Sequence, residues 1–377
     1  MILIINGMKI VLFNRNLRFM KTLLLFCFLF LQSITTFGQD SLTFLFIGDI
    51  MGHGGQIEAA YDAQTKSYNY DIVFEKIEPI MNRGDIAIAN LEVTLAGPPY
   101  SGYPQFSSPD ALPVACKKNG IDILVTANNH SCDRRKNGII RTLDILDSLQ
   151  IPHTGTFRNT IERKHHNLLI LDQNNIRVGV LNYTYGTNGL KAAKPTSVNY
   201  IDTSIIRKDI EKSKEEDLDQ LIVVTHWGLE YQTSPNNYQK KITQFLFEQG
   251  VDMVIGGHPH VIQKAQWKKD KNQLVAYSLG NFVSNQASVN TDGGMILELT
   301  LVKHNGETRI SSPGYHLIWV HKPTLNGKKI YEVLPCNLYE NTPRELDRSK
   351  MKKMKLFIEN ARKIMSENEN VPEIQLR

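Results

Sequence analysis

The chain has 377 residues, of which 41% are hydrophobic, 8% aromatic and 21% charged; this is too apolar for a disordered polymer, and four cysteines are too few for a disulfide scaffold. The formal net charge of +5 gathers at the N-terminus, where Lys9, Arg15, Arg18 and Lys21 stand without an acid before residue 39; the remainder carries 39 Lys+Arg against 38 Asp+Glu. A near-neutral remainder argues against a nucleic-acid-binding surface, and the absence of a repeat period argues against a solenoid or propeller.

From Met20 the sequence runs through Lys21 into an apolar stretch of nine residues, Leu23 to Leu31, and then to a small residue at Gly38. This is the pattern of a secretory signal peptide spanning residues 1–38, with the true start at Met20 and cleavage near Gly38 or Gln39. The stretch falls short of the ~20 apolar residues that span a bilayer, so a single membrane anchor is the alternative. An exported chain would be periplasmic or displayed at the cell surface. It would keep Cys116, Cys132 and Cys336, an odd set without a CxxC pair, so a zinc knuckle is excluded and at least one thiol stays unpaired.

Beyond the leader, strand-like and helix-like segments alternate. Leu42 to Ile47 reads as a strand ending in Gly48-Asp49, and a helix is expected over Ile72–Met81. Asp85 to Ala89 is strand-like and ends at Asn90-Leu91-Glu92; Ile121 to Thr126 is another, ending at Asn128-Asn129-His130. A helix fits Ile139 to Leu149, and Leu168–Leu171 with Arg177–Tyr183 flank a hairpin turn at Gln173-Asn174-Asn175. Gln220 to Thr225 runs into His226, a helix fits Tyr238 to Gln249, and Asp252 to Ile255 runs into Gly256-Gly257-His258. Leu274–Leu279 and Met295–Val302 read as closing antiparallel strands. This alternation predicts an α/β fold with mixed sheets covered by helices, a main domain over residues 42–303. A smaller α+β segment follows over 304–377, with strands at Tyr315–His321 and Lys329–Leu334 and an amphipathic helix over Glu345–Ser366.

Chemistry-bearing residues collect at one kind of position. Asp49, Glu92, Asn129-His130, His226 and His258-x-His260 each follow the C-terminal end of an expected strand, the edge at which open α/β sheets bind ligands. Imidazole, carboxylate and amide without thiolate suit zinc, iron or manganese. Two such ions about 3.5–4 Å apart, bridged by a carboxylate, would acidify water and clamp an oxyanion. If residues 258–260 are extended, their two imidazoles point to opposite sides and could face different ions. Gly54-Gly55 lacks the spacing of a P-loop, and Ser278 lacks the surroundings of a hydrolase nucleophile.

Six ordered motifs carry a resemblance: Gly48-Asp49-Ile-Met, Asn90-Leu-Glu92, Ala127-Asn-Asn-His130-Ser-x-Asp133, His226-Trp-Gly-x-Glu230-Tyr, Gly257-His-Pro-His260-Val and Ser278-Leu-Gly-Asn281-Phe. From Leu42 to Phe282 the chain resembles the CapA family of capsule and poly-γ-glutamate synthesis proteins, a branch of the calcineurin-like metallophosphoesterases. The resemblance implies a four-layer α/β/β/α sandwich of two mixed sheets and a divalent metal centre of two ions (Mn, Zn or Fe). It implies that Asp49 and His260 hold the first metal, that Glu92 bridges both, and that Asn129, His226 and His258 hold the second. His130 would sit beside the scissile group, donating a proton or stabilising the transition-state charge; His53, Asp133, Arg134, Arg135, Glu230 and Asn281 would support the ligands or meet substrate. The superfamily's Asp-x-His motif ends here in Met51 rather than His, with His53 two residues further on. Where Asp-Tyr-Gly is usual, the chain reads Asp133-Arg134-Arg135-Lys136, three cations that would either attract an anionic substrate or mark the solvated start of a helix.

The function implied is an exported metal-dependent hydrolase or transferase of the CapA type, cutting or forming a phosphoester or amide-type bond in an anionic cell-envelope polymer or its precursor. A membrane-bound polymer synthase is an expected partner. The alternatives are a non-catalytic, polymer-binding assembly factor of the capsule machinery and a periplasmic nucleotide phosphatase.

Overall fold

The computed structural model describes residues 2–5, 8–11 and 40–376, apart from 326, 343–345 and 367–369. Met1–Gln39 and Asp40–Arg377 are separate compact units. In the first, Ile2–Ile5 pairs antiparallel with Met8–Val11, while the leader expected from Met20 to Gly38 lies outside the described residues. No helix among the described residues is long and apolar enough to cross a membrane.

The second unit is organised by strand β1 (Asp40–Ile50), whose alternating side chains serve two cores. Leu42, Phe44 and Phe46 face one buried cluster, and Leu45 and Ile47 face another. A strand covered on both faces has no polar side, which explains its nearly unbroken apolar run. Parallel to β1 lie β2 (Ile86–Leu91), then β3 (Ile123–Val125) and β4 (His153–Thr154). Helices α1 (Gly54–Ala60), α2 (Ala111–Lys118) and α3 (Arg135–Ser148) fall in the intervening connections.

A second sheet follows: β5 (Leu169–Gln173), β6 (Ile176–Thr184), β7 (Gln220–His226), β8 (Met253–Gly257), β9 (Ile262–Lys268) and β10 (Gln273–Leu279), ordered β5-β6-β7-β8-β10-β9. Its middle pairs are parallel, and both edge strands are antiparallel to their neighbours. Helices α4 (Thr203–Ser213) and α5 (Asn237–Glu248) bury Ile206, Ile210, Ile242 and Leu246 against its outer face. The chain then rejoins the first sheet through β11 (Asn281–Val283), β12 (Gly293–His304), β13 (Glu307–His321) and β14 (Glu332–Pro335), giving the order β14-β13-β12-β1-β2-β3-β4, with β11 beside the end of β1. Two mixed sheets thus enclose one core, and helices cover their outer faces, in the four layers expected.

The last strands and the final helix α6 (Arg348–Met365) join this architecture. Antiparallel β12 and β13 extend the first sheet. Helix α6 buries Met351, Met354, Phe357, Ile358 and Ala361 in the inter-sheet core beside Trp267 and Trp319. The helix lies so close that a Cβ on Gly293 would stand 2.7 Å from the Phe357 ring.

Three local expectations differ from the structure. Residues 71–81 are two 3₁₀ turns, Asp71–Val73 and Glu75–Ile77, and one α turn, Glu78–Met81, because Pro79 has no N–H to continue a helical ladder through this point. Strand β10 pairs parallel with β8 as well as antiparallel with β9. Strand β9 itself was not expected, since its Gln263 and Lys264 break the apolar run.

Candidate metal centre

Parallel pairing aligns the strand ends that carry the polar residues. Asp49 sits opposite Asn90, Asn90 opposite Val125, and His226 opposite Gly257. The loops leaving these strands therefore open at one rim. There the side chains form two groups that could each hold a metal ion: Asp49, Glu92 and His260, and Glu92, His226 and His258. Within each group the ligand atoms lie within 4.8 Å of one another, and Glu92 belongs to both. All five residues are buried.

Hydrogen bonds aim these groups. Asn90 Nδ2 donates to Asp49 Oδ1 at 2.7 Å, and the backbone N–H of His258 donates to Asp49 Oδ2 at 3.2 Å. His226 Nε2 lies 3.0 Å from Asn129 Oδ1 and 3.6 Å from Glu92 Oε1. His260 Nδ1 lies 3.0 Å from Asn281 Oδ1 and 3.4 Å from Asp49 Oδ2. A Cβ on Gly257 would stand 2.7 Å from Asp49 Oδ1, so only glycine lets this backbone pass beneath the carboxylate.

The two imidazoles of residues 258 and 260 do reach different groups, but not by extended alternation. His258 and His260 both have positive φ, 98° and 56°. The divergence comes from two left-handed residues around Pro259, a strained conformation of the kind that costs about 1–3 kcal/mol and is concentrated at functional sites. Their ring centroids are 6.1 Å apart.

The donor set fits a divalent cation. Both carboxylate oxygens of Glu92 and Nδ1 of His258 are buried without a hydrogen-bond partner, a cost that a cation would remove. Burial, then the neighbouring Asp49 charge, pushes the Glu92 carboxyl well above its ordinary range. Burial lowers His226 to about 3 and His258 to about 2, so both rings are neutral near pH 7, as ligands must be. Burial works against charge on Asp49 and His260 as well, yet their mutual hydrogen bond and the surrounding charges prevail. Asp49 is held low and His260 is raised to about 9.

His130 stands beside the cage. Its Nδ1 lies 2.8 Å from Asp133 Oδ2, which also accepts the Phe106 N–H at 2.6 Å. Phe106 packs edge-on against the imidazole at 4.5 Å. This clamp fixes the ring through Nδ1, and no hydrogen bond among the described residues engages Nε2.

The remaining expected residues divide. Asn281 joins the cage through His260. Glu230 is exposed at the mouth, where its charge favours protonation of His226 and His260. His53 lies outside both ligand groups: its Nδ1 faces the Asn285 N–H at 3.3 Å and Gln56 Oε1 at 3.2 Å, and its ring packs on Phe106. It does not replace the histidine missing at Met51. Arg134 turns to Pro99 O and Ser101 Oγ, at 3.2 and 2.8 Å, and so ties down the 99–101 loop. Arg135 is exposed to solvent.

The residue reading overlooked three contributors. Asn90 and Asn128 bond each other at 3.1 Å and stand inside quoted motifs; their position at strand ends was the available sign. Tyr185 packs its ring 4.5 Å from His258. It directly follows β6, a strand whose end had been assigned nothing.

A two-sheet α/β sandwich thus gathers buried carboxylates and imidazoles at parallel strand ends, in two groups that could each hold a metal ion. The sequence matches the family model described as bacterial capsule synthesis protein PGA_cap over residues 43–286, and the chain belongs to that family. It is 27% identical over 318 residues to the capsule biosynthesis protein CapA of Bacillus anthracis, covering 81% of this chain and 70% of that one. To the PGA biosynthesis protein CapA of Bacillus subtilis (strain 168) it is 25% identical over 334 residues, 86% and 79% of the two chains. Among solved structures it is similar to the calcineurin-like phosphoesterase YfkN of Bacillus subtilis (TM-score 0.46, 14% identity, 74% of this chain and 90% of that one). It is also similar to the NAD nucleotidase of Haemophilus influenzae (TM-score 0.47, 12% identity, 90% and 65%).

Proposed function

We propose that this chain is an exported, metal-dependent hydrolase or transferase that acts on an anionic cell-envelope polymer, or its precursor, during capsule production. The observation that carries this reading is Glu92, shared by two ligand groups and left with no hydrogen bond to either oxygen among the described residues. In this reading Asp49 and His260 hold one ion with Glu92, and His226, His258 and Asn129 hold a second. Divalent cations there supply Lewis acidity toward water and toward the oxygens of the attacked group. His130, oriented by Asp133, donates the Nε2 proton to the departing group. Tyr185 and Glu230 line the approach, and the buried cage excludes bulk water.

Family membership supports the role in capsule production, and the name of the Bacillus subtilis relative supports poly-γ-glutamate as the polymer. The apolar stretch after Met20 supports export, which would bring the chain beside a membrane-bound polymer synthase. The test is elemental analysis of the purified protein followed by phosphodiester and γ-glutamyl cleavage or transfer assays with manganese, zinc or iron. Expected are bound divalent metal, turnover, and its loss in His130→Ala with the metal retained. A metal-free protein, inert with every metal, would overturn the enzyme and leave the assembly factor.

A further inference from the structure

Four lysines from beyond residue 303 gather beside the rim. Lys322, largely buried, extends its ammonium to the backbone carbonyl of Gln286 and lies 6.0 Å from the centre of the Tyr331 ring. Lys329 lies 5.3 Å from the same ring and donates to Asn285 Oδ1 at 3.1 Å, while Lys350 donates to the Lys322 carbonyl at 3.3 Å. Lys322 feels the charges of Lys329, Lys350 and Lys353.

Asp292 is the carboxylate whose charge offsets that of Lys322. Among the described residues, none of the four lysines forms an ion pair within 4.0 Å of a carboxylate. The carboxylate whose charge Lys322 feels is Asp292, which is turned to Trp319 Nε1 at 2.9 Å. Glu332 is held by His321 at 3.0 Å, and Asp347 caps α6 by accepting the Lys350 N–H at 2.8 Å. Burial and the like charges of its neighbours both oppose the ammonium of Lys322. A fold that keeps these ammonium groups without a contacting carboxylate among the described residues presents a site for an anion from outside.

The cluster is tied to the metal centre through two residues. Asn281 Oδ1 faces His260, and Asn281 Nδ2 donates to Gln286 Oε1 at 2.9 Å; Gln286 also receives Lys322. Asn285 gives its N–H to His53 and takes Tyr331 Oη at 2.6 Å together with Lys329. The lysines thus flank the side of the rim occupied by His53. We propose that Lys322, Lys329, Lys350 and Lys353 form an anion subsite that grips the charged repeats of the polymer next to the bond at the metal centre. This rests on the anionic-polymer reading above and adds where the anions are held. Ammonium groups act as compact point charges without the forked geometry of arginine. The subsite therefore reads charge density rather than the shape of one group, which suits a chain whose carboxylates or phosphates must advance past it.

The test measures, by fluorescence anisotropy on the full-length manganese-loaded protein, binding of a labelled γ-glutamyl oligomer and of labelled inorganic polyphosphate. In Lys329→Glu/Lys353→Glu, both at exposed positions, binding of the preferred polyanion should weaken about tenfold, equivalent to about 1.4 kcal/mol, with unchanged metal content. Lys322→Gln should weaken it too, and added salt should shrink the difference. A control reversal on the far groove, Lys240→Glu/Lys271→Glu, should have little effect. Tighter binding of the γ-glutamyl oligomer assigns the subsite to carboxylates, and tighter binding of polyphosphate assigns it to phosphates. Equal weakening in the control and subsite variants overturns the proposal. Lysine-dependent binding in a protein that turns over no polymer refutes the enzyme while the subsite stands.

Discussion

The strand-end rim and the C-terminal segment contribute to one site in opposite ways. At the rim, Asp49, Glu92, His226, His258 and His260 are neutral or paired groups packed away from solvent, at or just beyond the ends of strands. From the C-terminal segment come Lys322, Lys329, Lys350 and Lys353, cations without a carboxylate in contact among the described residues, placed by a strand, a loop and a helix that meet only in the folded chain. Chemistry that demands fixed geometry is built on the rigid parallel strands. Charge that needs only to be nearby is supplied by the segment sealing the sandwich.

The comparison is broken most severely at Glu92. In Glu92→Ala both ligand groups lose their common member, and we expect bound metal to fall further than in His258→Ala or His260→Ala. Turnover should drop by at least about 10²-fold. Elemental analysis of the three variants checks this; equal metal loss in all three would show that the two groups are not joined through Glu92. Next in size is a packing change. Phe357→Ala opens a cavity where α6 meets the inter-sheet core, and should destabilise the protein by about 3–5 kcal/mol in a denaturant titration. A shift below 1 kcal/mol, roughly a surface effect, would mean that the C-terminal segment seals nothing.

Smaller again is Asn281→Ala. This side chain orients His260 and links it to Gln286, so metal affinity should fall about tenfold in a chelator competition, with the fold intact. Unchanged affinity would separate the rim from the lysine side. The mildest effect concerns Glu298, which bonds His316 Nε2 at 2.8 Å and Arg83 at 2.7 Å. Burial raises its carboxyl, but those partners prevail and hold it at about 2, below the ordinary 4.5. Its stabilisation is therefore complete above pH 4.5 and disappears as the pH falls through about 2. Glu298→Gln should flatten the acid limb of the stability curve across that window in thermal melts; parallel curves for the two proteins would remove the claim.

Much of the site was legible because each ligand follows an apolar run that can only be a buried strand. Leu42 to Ile47 leads to Asp49, and Gln220 to Thr225 leads to His226. The helix over 72–81 was misread because apolar spacing outweighed Pro79, and β9 was hidden by its polar interruptions. His53 follows the first motif by two residues beyond Met51, and Asn285 and Gln56 hold it outside the two ligand groups. Arg134 could have met substrate or marked a solvated helix start, and its guanidinium bonds Pro99 O and Ser101 Oγ of the 99–101 loop.

What the sequence alone determined is the order of strands and helices and the residue type at each strand end, because both follow from local periodicity and from the rule that parallel sheets bind at their carboxyl edge. Only tertiary structure decided that Glu92 serves both ligand groups, that left-handed turns rather than an extended segment separate His258 from His260, and that distant lysines face the rim. Those outcomes depend on distances between segments far apart in the chain, and no short-range pattern encodes them.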